Sequence, residues 1–94
     1  MVIVTGSVRV RPEAIDEAVR HSLEHVRRSR REAGCLQHGV YRDAEEPLRL
    51  FFYEQWADRD ALNAHFAVPA SNDFVAAVSA LATEPPAIDI HDVG

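Results

Sequence analysis

The stretch LRLFFYEQW, residues 48–56, constrains the fold of this chain more than any other. Its aromatic density and alternation read as a β-strand. Successive side chains of a strand point to opposite faces. Leu48, Leu50, Phe52, Glu54 and Trp56 therefore share one face, and Arg49, Phe51, Tyr53 and Gln55 share the other. Both faces carry large rings, whereas a sheet covered by helices on one side only shows polar residues on its second side. At 94 residues the chain is expected to form one domain over 1–94, with helix enough for a single face. A second copy is expected to cover the other face, giving a sheet-to-sheet homodimer with two-fold symmetry.

The flanking segments supply the remaining elements. Residues 2–10, VIVTGSVRV, read as a first strand. Pro12 opens a helix in its favoured first-turn position and Ala33-Gly34 stops it near residue 32. Glu13, Asp16 and Glu17 suit the positive end of that helix, and Arg27, Arg28, Arg30 and Arg31 the negative end. Ile15, Val19, Leu23 and Val26 mark its expected buried stripe. Residues 35–43 form a second strand, joined by the turn at 44–47 to the strand at 48–56 as an antiparallel hairpin. Asp58 is the expected N-cap of a short helix over 59–67, ended by Pro69. A third helix spans 71–82 with Phe74, Val75, Val78 and Leu81 inward, and 87–93 form a last strand. The order β-α-β-β-α-α-β predicts an α+β, ferredoxin-like subunit with a four-stranded antiparallel sheet.

Within that frame a few polar residues enter an apolar layer. The helix-facing residues of the second strand read as Leu36, His38 and Val40, beside Glu54 on the third strand. The short helix is expected to bury Leu62 and Phe66, bringing His65 to the edge of the same layer. Buried polar groups are costly unless paired, and they are where proton-transfer chemistry is built. His38, His65 and Glu54 are therefore the candidate catalytic groups. Trp56, Phe52, Leu36 and Phe66 are the candidate walls of a substrate pocket.

Other signals exclude more than they assign. Fifteen acidic against ten basic residues make a poor binder of nucleic acid. The RRSRR run at 27–31 is explained by the helix dipole. Every cation is Arg and none is Lys, as expected of a GC-rich bacterial genome. His21-Ser22-Leu23-Glu24-His25 spells a zinc-peptidase motif, but the chain lacks the supporting helix, so an exposed or semi-exposed helix face and no metal are expected. One cysteine, Cys35, forbids an internal disulfide and reads as a small semi-buried residue. The four glycines form no phosphate-binding loop, so no flavin or nicotinamide is expected. No run reaches the roughly 20 apolar residues of a membrane span. The start MVIVTGSVRV lacks a basic leader, so a cytoplasmic protein is expected.

The stretches GCLQHGVYRD (34–43), FYEQWAD (52–58) and ALNAHF (61–66) resemble the antibiotic biosynthesis monooxygenase family, and within it the small quinol monooxygenase-like proteins. The resemblance implies a dimeric α+β barrel. It also implies oxygenation of quinol-like or polyketide aromatic molecules by O2 with no flavin, haem or metal cofactor. Relatives carry Tyr where this chain has His38. Haem-degrading relatives carry an iron-ligating His near the position of Val78, and no His lies between 66 and 90 here. Two further functions fit the same pocket: a non-catalytic module binding an aromatic metabolite, and an isomerase working by proton transfer.

Overall fold

The computed structural model describes all 94 residues. The chain runs β1 (Val2–Arg9), a 3-10 turn (Pro12–Ala14), α1 (Ile15–Ser29), β2 (Cys35–Arg42), β3 (Arg49–Trp56), α2 (Arg59–Ala67), α3 (Pro69–Leu81) and β4 (Ala87–Asp92). The sheet order is β2-β3-β1-β4, with every neighbouring pair antiparallel. This is the expected ferredoxin-like arrangement. Local signals set both ends of α2. The Asp58 carboxylate accepts from the Ala61 amide at 2.8 Å and caps α2. Pro69 ends α2 and at the same time opens α3 from its first turn, two residues earlier than expected.

The alternation of β3 holds along its length. Leu50, Phe52, Glu54 and Trp56 are buried under the helices. The hairpin register sets His38 opposite Glu54 and Val40 opposite Phe52. On β1, Val4 faces Glu54 and Gly6 faces Phe52. The apolar core falls into two parts. The larger gathers Val8, Val10, Ile15, Leu50, Phe52 and Val78, and the smaller gathers Val2, Val4, Trp56 and Leu62. Fully burying a side chain such as Leu50 or Leu62 contributes about 1.5–3 kcal/mol. His38 and Glu54 occupy the sheet positions between the two parts.

Four expectations about which side chains turn inward are corrected. Leu36 is 58% exposed, because a bulge between Cys35 and Gln37 makes it the extra residue of β2. α1 buries Ala18, Ser22, His25 and Ser29, while Val19 and Leu23 are only half-buried. The small residues of that stripe let the helix lie close to its neighbours. α2 buries Leu62 and His65, turning Phe66 outward at 39% exposure. α3 buries Ser71, Val78 and Leu81 and leaves Val75 exposed. The outer face of the sheet is uncovered, with Phe51 and Tyr41 paired across it and both exposed. No helix is long and apolar enough to cross a membrane.

Candidate active site

A cavity of about 420 Å³ opens between α3 and the β1–β4 edge of the sheet. Gly6 and Val8 form its floor, since a glycine at position 6 leaves the space above Phe52 free. Phe74, Val75 and Val78 of α3 form one wall, and Ile88 of β4 another. The polar groups cluster on the remaining side: His25 from α1, Glu54 from β3, His65 from α2 and Ser71 from α3. The cavity is thus apolar with a few convergent polar groups, the usual composition of a small-molecule site.

His65 is buried, and its Nδ1 lies 2.9 Å from Glu32 Oε1. That contact places the proton of neutral His65 on Nδ1, donated to the carboxylate, and leaves the Nε2 lone pair for the cavity side. Glu32 comes from the turn after α1, so the pair ties that turn to α2. Glu54 Oε1 accepts the Trp56 indole N–H at 2.9 Å. The same oxygen lies 3.3 Å from His38 Nε2 and 4.0 Å from His65 Nε2. The 3.3 Å approach is an ion-pair distance but poorly aligned for a hydrogen bond, and neither His38 nitrogen has a hydrogen-bond partner in the protein. Burial pushes the Glu54 carboxyl up, but His38, the Trp56 N–H and His65 together outweigh it and hold it below the usual carboxylate range.

His25 stacks on Phe74, with ring centroids 4.0 Å apart and planes 5° from parallel. Its Nδ1 sits 2.8 Å from Arg28 Nη2. A guanidinium only donates, so Nδ1 must accept and the ring proton resides on Nε2. Burial, then the neighbouring His38, His65 and Arg28, push the His25 imidazolium down to about 3. His25 therefore stays neutral at physiological pH and presents a fixed N–H donor. Cys35 is pushed up by burial and by Glu54 and Glu32, so it remains a thiol.

Of the residues singled out from sequence, His38, His65 and Glu54 come together, and Phe52 and Phe66 line the cavity. Trp56 lies behind Glu54 as a fully buried hydrogen-bond donor and does not reach the cavity. Leu36 lies on the outer edge of β2, away from it. His25 and Glu32 were not anticipated. His21 turns away from the cluster toward Glu17 at 3.4 Å, and His25 turns inward, so the two do not act as one helix-face pair. The heptad spacing of Ile15, Ala18, Ser22, His25 and Ser29 is the sequence signal that marks His25 as inward.

Residues 1–77 match the family model for antibiotic biosynthesis monooxygenase. A crystal structure of an antibiotic biosynthesis monooxygenase superposes with a TM-score of 0.92 at 29% identity, covering 100% of this chain and 99% of that one. A structure from Mycobacterium tuberculosis superposes with a TM-score of 0.91 at 26% identity, covering 98% and 93%. An uncharacterised protein of Synechocystis sp. is 32% identical over 92 residues, or 98% of this chain. The chain spans 63% of the length of that relative.

Proposed function

Since this chain belongs to the antibiotic biosynthesis monooxygenase family, we propose that it oxidises a quinol-like or polyketide-type aromatic molecule with O2, without a flavin, haem or metal cofactor. The Glu32–His65 pair at the cavity wall carries this reading. A hydroquinone or anthrone can supply the electrons for O2 itself once deprotonated. His65 Nε2 is the base that takes the phenolic proton, and the Glu32 carboxylate holds the ring and stabilises the imidazolium that forms. His25 Nε2–H is a neutral donor for the resulting oxyanion. The apolar walls keep water out and strengthen both contacts. The substrate supplies all four electrons: its anion adds O2 to form a ring hydroperoxide. Loss of water from that hydroperoxide turns a ring C–H2 (or C–H of a hydroquinone) into C=O (or C–OH of the quinone), so one oxygen atom enters the ring and the other leaves as water. Glu54 acts on His65 from the cavity wall, and His38 supports Glu54 from behind it.

The same reading makes the protein a cytoplasmic homodimer. The uncovered sheet face, with Phe51 and Tyr41 exposed side by side, supports a second copy as its cover. Light scattering at micromolar concentration gives twice the 10.5 kDa chain mass if this is right, and the chain mass if it is wrong. For the activity, oxygen uptake is measured with chelator-treated protein against a panel of hydroquinones and anthrones, each with a protein-free control. Uptake above the control that His65→Ala abolishes supports the reading. Full turnover in His65→Ala removes the base assignment. Uptake equal to the control across the panel rejects the oxygenase in favour of a binding module or an isomerase.

A further inference from the structure

The three buried histidines have a geometry that deprotonation of a substrate does not require. The ring centroids of His25, His38 and His65 form a nearly equilateral triangle of 5.3, 5.4 and 5.7 Å. One nitrogen from each ring lies within 4.8 Å of the other two. A zinc–nitrogen bond of about 2.1 Å puts a ring centroid about 3.2 Å from the ion, so a tetrahedral angle separates two such centroids by about 5 Å. The rings are thus already spaced for a shared ion, and their nitrogens need only turn inward. His38 is fully buried with no hydrogen-bond partner in the protein for either ring nitrogen, an arrangement that burial makes costly. We propose that His25, His38 and His65 form a binding site for one divalent transition-metal ion of the zinc class, with its fourth position open to the cavity.

The surroundings suit a cation. Glu32 on His65 Nδ1 is the carboxylate partner that orients metal-bound imidazoles and frees Nε2 to ligate. Glu54, 3.3 Å from His38 Nε2, supplies the second negative charge that balances a dication. Three imidazoles in a tetrahedral setting select zinc, cobalt or copper over the oxygen-seeking magnesium and calcium. One contact opposes entry: Arg28 holds the His25 proton on Nε2, and the ion must displace it. Arg28 therefore sets the affinity of the site. The ion also takes the His65 lone pair that a base would use, so a loaded site and an acting base exclude each other. Metal binding is measured without turnover, which separates a failure here from a failure of the oxygenase reading.

The test titrates tag-free, chelator-treated protein with Zn2+ by calorimetry and with Co2+ by visible absorption. The expected result is one ion per chain, with the intense visible bands of tetrahedral Co2+. His25→Gln and His38→Gln should each weaken binding by more than about 100-fold, beyond what loss of an outer partner costs. Arg28→Met should tighten it. His21→Gln and His91→Gln, on the surface, should leave it unchanged. Each variant is first checked for a wild-type melting curve; if His38→Gln does not fold, His25→Gln on the cavity wall decides alone. Absence of Co2+ bands, binding that survives His25→Gln, or binding lost only with His21 or His91 overturns the site.

Discussion

Gly34 offers a direct way to probe how the fold holds the Glu32–His65 pair. It lies at φ +81°, in the left-handed region, and a Cβ there would collide with the Cβ of Ala61 on α2. Its carbonyl also accepts the Ala57 amide at 2.8 Å, so the turn after α1 is seated against the start of α2. That turn carries Glu32, and α2 carries His65. Gly34→Ala adds two costs. The left-handed backbone costs a residue with a Cβ about 1–2 kcal/mol, and overpacking against Ala61 costs about 1–3 kcal/mol. The sum, about 2–5 kcal/mol, is a large part of the roughly 5–14 kcal/mol expected of a domain this size. The clash component can be isolated. Ala61→Gly alone costs about 1 kcal/mol in helix propensity. In the double variant the clash is relieved and only the backbone and propensity costs remain. Urea unfolding of the four proteins should give a coupling of about 1–3 kcal/mol, in the direction of rescue. Displacement of α2 should also lengthen the 2.9 Å Glu32–His65 contact. A Gly34→Ala loss under about 0.5 kcal/mol, or energies that add within that margin, would refute the account.

His25 makes stability depend on pH with a definite sign. Its native value of about 3 lies below the ordinary 6.5, so between the two the unfolded chain binds a proton that the native chain does not. Stability is fully present above that window and falls as pH drops through it, by up to about 1.4 kcal/mol per unit from this group. Melting curves from pH 7 to pH 4 should slope less steeply for His25→Phe; an unchanged slope contradicts the assignment. Trp56→Phe leaves Glu54 without its 2.9 Å indole donor in a buried layer, and should cost about 1–3 kcal/mol in urea unfolding. Loss of no more than a few tenths would mean that another group satisfies Glu54. At Gly6 a Cβ meets only ordinary contacts, 3.5 Å from the Ala87 carbonyl and 3.7 Å from Phe52 Cβ. Gly6→Ala should therefore fold with little change in melting temperature yet weaken binding of a hydroquinone probe, because its methyl group enters the cavity floor. Retained binding would place the substrate elsewhere.

The division between what the sequence disclosed and what it concealed follows the range of the physics involved. The Asp58 cap and the two faces of β3 depend on residues a few positions apart, and they are legible. The uncovered ring of Phe51 follows from the same alternation. Leu36 depended on a bulge, which is set by how β2 meets β3 and not by β2 itself. Glu32 and His65 meet across 33 positions, and no local pattern announces that contact.

The choice between His65 and Phe66 is the most instructive case. A helix period of 3.6 allows Leu62 to share its buried face with either residue, three or four positions on. Transfer free energy alone favours burying Phe66. The fold buries His65 instead and leaves Phe66 at the cavity mouth. Burying an imidazole is tolerable only when its polar atoms are paired, and Glu32 supplies that partner from the turn after α1. The rotation of α2 is therefore explained by a polar contact distant in sequence, and that same contact frees a histidine lone pair for the cavity. His25 obeys the same rule on α1, where Arg28 satisfies its Nδ1 and the flanking Ser22 and Ser29 leave room for the ring. The rotation of α2 is hidden from hydrophobic patterning, because at His65 a polar pairing has overruled the pattern.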